Sequence, residues 1–179
     1  MGGFVLIAAI VCASMRVRKG IPELLAAWGA SDVQGELVLV GDDEPALMDA
    51  LHGAVATGTV RHVPYTSDIG AYYRMADVFV FPTLEEGGPQ VTLEAAGCGL
   101  PVITTSMGAS RLVEDGVNGL IVDEGDTVGL AHAIATLAGD SELRKRMATH
   151  AAHDAVAFDY DVVSASRAGV LRSLLAERN

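Results

Sequence analysis

Short runs of uninterrupted apolar residues alternate along this chain with longer stretches in which apolar positions recur at helical spacing. The first run is the longest: Phe4–Ala13 holds ten residues with no charged or amide side chain. Such continuity is what a parallel strand buried on both faces requires, whereas a half-exposed strand alternates. Further strand-like runs are ELVLVG (36–41), TVRHV (59–63), DVFVFPT (77–83), PVITT (101–105) and NGLIVD (118–123). Between them lie helical patterns. IPELLAAWG from Ile21 has a proline in its first turn and Gly29 at its expected end. EPALMDALHGAVA (44–56) and PQVTLEAAGC (89–98) also read as helices, and SDIGAYYRMA (67–76) as a helix capped by Ser67. After Asp123 the chain reads as helix throughout: TVGLAHAIATLAGD, then SELRKRMATHAAHDAVAF capped by Ser141, then an amphipathic segment over about 161–178.

Strand–helix alternation with about six strands predicts an α/β fold: a Rossmann-like, doubly wound parallel sheet with helices on both faces and right-handed crossovers. In such sheets ligands sit beyond the carboxyl ends of the strands. The loops to inspect are therefore SMRVRKG, GDDEP, PYTSD, TLEEGGP and TSMGAS. Neither a dinucleotide fingerprint GxGxxG after the first strand nor a Walker A motif occurs, so the two commonest phosphate-binding schemes of this class are excluded.

The opening run raises a second reading, a secretory leader or membrane span. It has no positive charge before it and is too short to cross a bilayer. The strand reading predicts a cytoplasmic protein. A length of 179 residues suits one domain, and half of the residues are hydrophobic, enough for a sizeable core. The formal net charge of −11 argues against a partner in nucleic acid, and against more than peripheral membrane contact. It leaves room for a local cationic cluster, and RVRKG (16–20) is the densest. Cys12 and Cys98 stand in apolar runs without metal-ligand spacing and read as buried free thiols. His52, His132, His150 and His153 fall on predicted helices as surface or satisfied helix residues without ligand partners; His62 lies in a strand beside PYTSD. No cluster suggests a metal.

The most informative stretch is LEEGGPQVTLEAAGCGLPVI (84–103), which places Glu86 and Glu94 around a Gly-Gly-Pro turn with seven residues between them. Taken with RKGIPELLAAW, LVLVGDD, the continuation to LIVD and the late FDYDVV, in that order and spacing, the chain resembles the C-terminal donor-binding domain of GT-B, family-4-type retaining glycosyltransferases. The resemblance implies a domain over 1–179, with a core to about 158 and a C-terminal helix from 159, and an N-terminal acceptor domain that is absent here or supplied by a separate chain. It implies a nucleoside-diphosphate sugar, UDP- or GDP-linked, as donor, and no cofactor or metal. Glu86 and Glu94 match the first and last acids of the family's E-x7-E motif. The resemblance puts Glu94 on the donor ribose, Glu86 on the donor sugar and Lys19 on the diphosphate, with Lys19 and Glu86 in catalytic roles and Arg16 as a neighbouring phosphate contact.

Elementary chemistry runs in the same direction. Pro89 suits a helix's first turn. Gly87 and Gly88 allow close approach to the backbone, and the amides near Val91 and Thr92 open the helix toward an anion. The plain alternative is that Glu86 is a solvated loop acid and Glu94 an exposed helix acid. Two departures from the family stand out. Its arginine precedes the lysine by five or six residues, where this chain has Ser14 or Ala13, and its Gly-Gly-x-x-Glu reads MGASR, with Met107 and Arg111 replacing glycine and acid. Rival readings are an epimerase or phosphorylase of related architecture, a non-catalytic scaffold, and a receiver domain. Apolar residues in the last segment predict self-association if its usual partner is missing.

Overall fold

The computed structural model describes residues 7–12 and 16–176. Six strands form one parallel sheet: β1 (Ile7–Cys12), β2 (Gly35–Val40), β3 (Val60–Val63), β4 (Val78–Phe81), β5 (Val102–Thr105) and β6 (Gly119–Val122). Their order across the sheet is β3-β2-β1-β4-β5-β6. The helices are α1 (Ile21–Ala30), α2 (Met48–Val55), α3 (Ile69–Met75), α4 (Gln90–Gly97), α5 (Thr127–Gly139), α6 (Ser141–Ala155) and α7 (Tyr160–Ala176).

The strand order reverses once. From β1 the chain steps outward to β2 and β3, then returns through α3 to β4 on the other side of β1 and continues outward. Right-handed crossovers therefore put α1 and α2 on one face of the sheet, and α3 and α4 on the other. The later helices extend both layers: α5 packs on α1, and α6 on α4. This is the doubly wound arrangement read from the alternation of runs.

Burial explains why the runs are continuous. Every residue of β4 and β5 is buried, as are the last four of β2. A layer of helices on each face leaves no exposed side to which polar residues could be assigned. Phe79 and Phe81 are fully buried, stacked with ring centroids 6.0 Å apart, and Tyr73 meets Phe79 edge-on at 5.9 Å. Each such ring contributes about 1.5–3 kcal/mol by leaving water. Thr104 and Thr105 are tolerated in the core because both hydroxyls find carbonyls: Thr104 donates to Phe81 O at 2.7 Å, and Thr105 to Thr83 O at 2.6 Å. These bonds also tie the ends of β4 and β5 together.

The helix boundaries depart from expectation in ways that local chemistry explains. Asp140, not Ser141, caps α6, its carboxylate accepting from Leu143 N at 2.8 Å. Asp126 caps α5 in the same way through Gly129 N. An anionic cap also meets the positive end of the helix dipole, which a serine does not. The helix expected from Ser67 starts at Ile69; Thr66 instead accepts from Asp68 N at 3.2 Å, making a turn ahead of it. Helix α1 runs through Gly29 to Ala30. The expected helix over 44–56 opens as a 3-10 turn, Pro45–Leu47, before α2. Cys98, expected in the core, is exposed, because α4 ends at the surface just before it. The side chain of Cys12 lies outside the described residues. Helix α7 buries none of its residues and presents Val162, Val170, Leu171, Leu174 and Leu175 to solvent.

Candidate functional site

In a doubly wound sheet the crevice opens where neighbouring strands send their exit loops to opposite faces, here between β1 and β4. Both loops carry chemistry. The chain leaving β1 passes through a 3-10 turn, Val17–Lys19, and reverses at Gly20. Gly20 has φ 71°, and a Cβ there would stand 2.0 Å from the carbonyl oxygen of Pro82 in the β4 exit loop. Only glycine satisfies both the left-handed backbone and that approach. Leu84 N donates to Arg18 O at 2.9 Å, and the Thr83 hydroxyl reaches the same carbonyl at 3.3 Å. The two exit loops are thus laced together by backbone, and the side chains they carry are held at fixed separation.

Across that seam the Lys19 ammonium donates to a carboxylate oxygen of Glu86. Lys19 is buried, unusual for lysine, and its Nζ lies 5.6 Å from the centre of the Phe81 ring. Glu86 is half-buried and also accepts from Gly87 N at 3.3 Å. Burial pushes the Lys19 pKa below the ordinary lysine value of 10.5, Arg18 and Arg16 add to the depression, and Glu85 opposes it. The contact with Glu86 supplies the counter-charge that lets the ammonium persist in this setting.

Directly after Glu86 the chain enters α4. Pro89 is the buried N-cap, extended at φ −71°, ψ 108°, rather than the first helical residue, and no side chain caps the helix. The first-turn amides, Val91 and Thr92 among them, are therefore presented without a side-chain acceptor. Thr92 is fully buried, and its hydroxyl donates to Gly108 O at 2.8 Å. Gly108 follows β5; a Cβ on it would meet the Thr104 hydroxyl at 2.0 Å. The first turn of α4 is thereby fixed to the exit loop of β5. At Gly87 and Gly88 an added Cβ meets nothing within 4 Å, so any demand for glycine there comes from outside the protein.

Glu94 sits one turn along α4, on its exposed side. Its Oε2 accepts from the Tyr73 hydroxyl at 3.2 Å. Its hydrogen bond runs to Tyr73 and not to Lys19 or Glu86, so the two motif acids occupy separate places. At the same end of the sheet a cleft of about 680 Å³ is lined by Arg16, Val17, Arg18, Glu44, Leu84 and Glu85. It puts the exposed Arg16 beside the pair, and Glu44 closes it through a bond from Val17 N at 3.3 Å. Met107 is exposed, and Ser110 and Arg111 both adopt positive φ, 53° and 59°. His62, half-buried, bonds Gly41 O at 2.8 Å and locks the exits of β2 and β3 together. The other four histidines are exposed, as read. Among the described residues no group of three His, Cys, Asp or Glu side chains could hold a metal ion.

The family model for group 1 glycosyl transferases matches residues 7–140, three quarters of the chain and all of the crevice. The chain belongs to the group 1 glycosyl transferases. Among relatives of this glycosyltransferase family, the lipopolysaccharide core biosynthesis glycosyltransferase LpsE of Rhizobium meliloti is 38% identical over 137 residues, covering 73% of this chain and 39% of its own length. Anabaena HepE, solved in complex with UDP, superposes with a TM-score of 0.84 at 27% identity, covering 94% of this chain and 49% of HepE. Sucrose-phosphate synthase from Thermosynechococcus elongatus gives a TM-score of 0.85 at 26% identity, covering 96% of this chain and 46% of the synthase. The chain thus spans less than half the length of these glycosyltransferase relatives and neighbours.

Lys19, Glu86 and the opening of α4 are brought to one place, with Arg16 on the adjoining cleft wall and Glu94 one turn away. Nothing in the sequence pattern singles out Tyr73 or Gly108. Neither carries a motif: Tyr73 reads as one core-facing aromatic of a short helix, and Gly108 as a glycine in a loop. In the sequence Gly20 is only the last residue of RKG; its steric necessity comes from where Pro82 lies.

Proposed function

We propose that this chain is the donor-binding half of a glycosyltransferase that takes a nucleoside-diphosphate sugar and passes the sugar to an acceptor. The observation that carries the reading is the Lys19–Glu86 pair, its ammonium buried, set across the strand-order reversal beside an uncapped helix terminus. A diphosphate placed there meets a fixed cation and unopposed amide dipoles. UDP is the first nucleotide to expect, since it is the ligand of the Anabaena HepE structure, which matches this chain over nearly its whole length.

The chemistry follows from charge. Breaking the bond at the anomeric carbon leaves negative charge on the diphosphate. Lys19, with Arg16 on the adjoining wall and the first-turn amides of α4, stabilises that charge as it develops, in a site already oriented for it. Without donor, Lys19 is neutralised by Glu86. When the diphosphate takes over the ammonium, the Glu86 carboxylate is released toward the sugar, which it orients. Glu94 accepts from the ribose hydroxyls. The acceptor attacks the face the diphosphate leaves, giving retention of configuration, and it is bound by a second half contributed from outside these residues. Among the described residues no helix is long and apolar enough to cross a membrane.

Calorimetric titration of the purified chain with UDP, GDP and ADP tests the reading. The expected result is saturable binding of UDP, weakened about a hundredfold by Lys19→Ala, as loss of a buried charge contact to a phosphate implies. Absence of binding to all three nucleotides would overturn it.

A further inference from the structure

The E-x7-E acids differ in what holds them. Glu86 has a cation. Glu94 is on an exposed helix surface, where a glutamate ordinarily samples several rotamers and loses that freedom when it binds a ligand. Here its Oε2 accepts from the phenol of Tyr73 at 3.2 Å. Tyr73 itself cannot wander. It is 1% exposed, lies in the last turn of α3, and is wedged edge-on against Phe79 with ring centroids 5.9 Å apart and planes at 75°. Phe79 is fully buried and stacked on Phe81, the ring beneath Lys19. A rigid aromatic column thus runs from the cation at the strand end to the hydroxyl at the helix edge.

We infer that Tyr73 is a positioning residue that fixes Glu94 in the rotamer that reads the ribose of the donor. This rests on the proposed function, in which Glu94 is the ribose contact. The geometry gives the phenol a specific task. Tyr73 occupies one carboxylate oxygen as a neutral donor and leaves the charge intact. Oε1 remains for a ligand hydroxyl. A cation in the same position would have drawn the charge away from the ligand; an apolar residue would have left the side chain free to turn. The consequence is discrimination between ribose and 2′-deoxyribose, because only the ribose offers the vicinal diol a fixed acceptor can grip.

The test uses the full chain and matched pairs of nucleotides: UDP with 2′-deoxy-UDP, and GDP with 2′-deoxy-GDP. Wild type is expected to prefer the ribose form by about tenfold or more. Tyr73→Phe keeps the ring and removes only the hydroxyl. It should weaken the ribonucleotide by about three- to tenfold, leave the deoxynucleotide unchanged and so collapse the ratio. In a Glu94→Gln background the same substitution should add no further loss of selectivity, which a general structural effect would. An unmoved melting temperature and circular dichroism spectrum in Tyr73→Phe separates the outcomes from unfolding. Binding by wild type with an unchanged ribose/deoxyribose ratio in Tyr73→Phe overturns the inference alone. Failure of wild type to bind any of the four nucleotides overturns the donor-site reading, and the inference with it.

Discussion

The strand-end crevice and the helix edge beside it hold one carboxylate each, and they hold them by opposite means. At the crevice Glu86 faces a buried ammonium, on loops laced by backbone bonds and closed over Gly20. At the helix edge Glu94 is exposed and steadied by one neutral hydroxyl. The difference follows from the cost of burial. A charge withdrawn from water needs a counter-charge and a fixed frame, since either partner alone is strongly disfavoured. A charge left in water needs only to be aimed. In the proposed function the crevice therefore supplies strength toward an anion, and the edge selectivity toward a diol.

The largest expected effect is on the crevice. Lys19→Ala should weaken UDP binding about a hundredfold, whereas Glu94→Ala should cost nearer tenfold, as the two kinds of contact imply. Titration of both variants side by side checks the ranking, and the reverse order would break the comparison. Next comes the frame. Gly20→Ala must place a methyl against Pro82 O at a positive φ. It should destabilise the fold by about 3 kcal/mol in denaturant melts, summing the left-handed penalty and overpacking. Gly87→Ala, with open space around its Cβ, should change stability by less than about 0.5 kcal/mol.

The pH dependence separates the two regions with a sign of its own. The native Lys19 pKa lies below 10.5. Between that depressed value and 10.5 the unfolded chain holds the proton more firmly than the folded one, so this group's contribution to stability rises with pH. A diphosphate needs the charged ammonium, so UDP affinity falls across the same window. Melting temperature and UDP affinity measured between pH 8 and 10.5 should therefore diverge, after subtraction of the same curves for Lys19→Met. Parallel curves would mean that Lys19 does not meet the phosphate. The smallest effect is on the tail. α7 leaves Leu171, Leu174 and Leu175 exposed, and concentration-dependent sedimentation should show self-association that weakens when they are changed to Ser.

The layers of this fold were plain in the sequence because burial on both faces writes itself as unbroken apolar runs, as in VFVF of β4 and LVLV of β2. Lys19 and Glu86 were legible because their flanking residues carry a resemblance, and the structure brings the two together. What the chain did not disclose lies in pairwise geometry. That Asp140 rather than Ser141 caps α6 depends on which residue leaves helical φ and ψ first. That Tyr73 touches Glu94 depends on α3 and α4 sharing a face, which only the strand order decides. That Cys98 is exposed depends on where α4 ends relative to the core.

The chain has two lysines, Lys19 and Lys145, and Lys145 is exposed on α6, where it pairs with Glu142. Selective 15N-lysine labelling would therefore give one ammonium signal from the crevice and one internal control. On titration with UDP the account predicts that the Lys19 resonance moves to saturation while Lys145 stays in place, as Glu86 is exchanged for phosphate. Saturable UDP binding that leaves Lys19 unmoved would contradict the central claim that the diphosphate is seated on this pair.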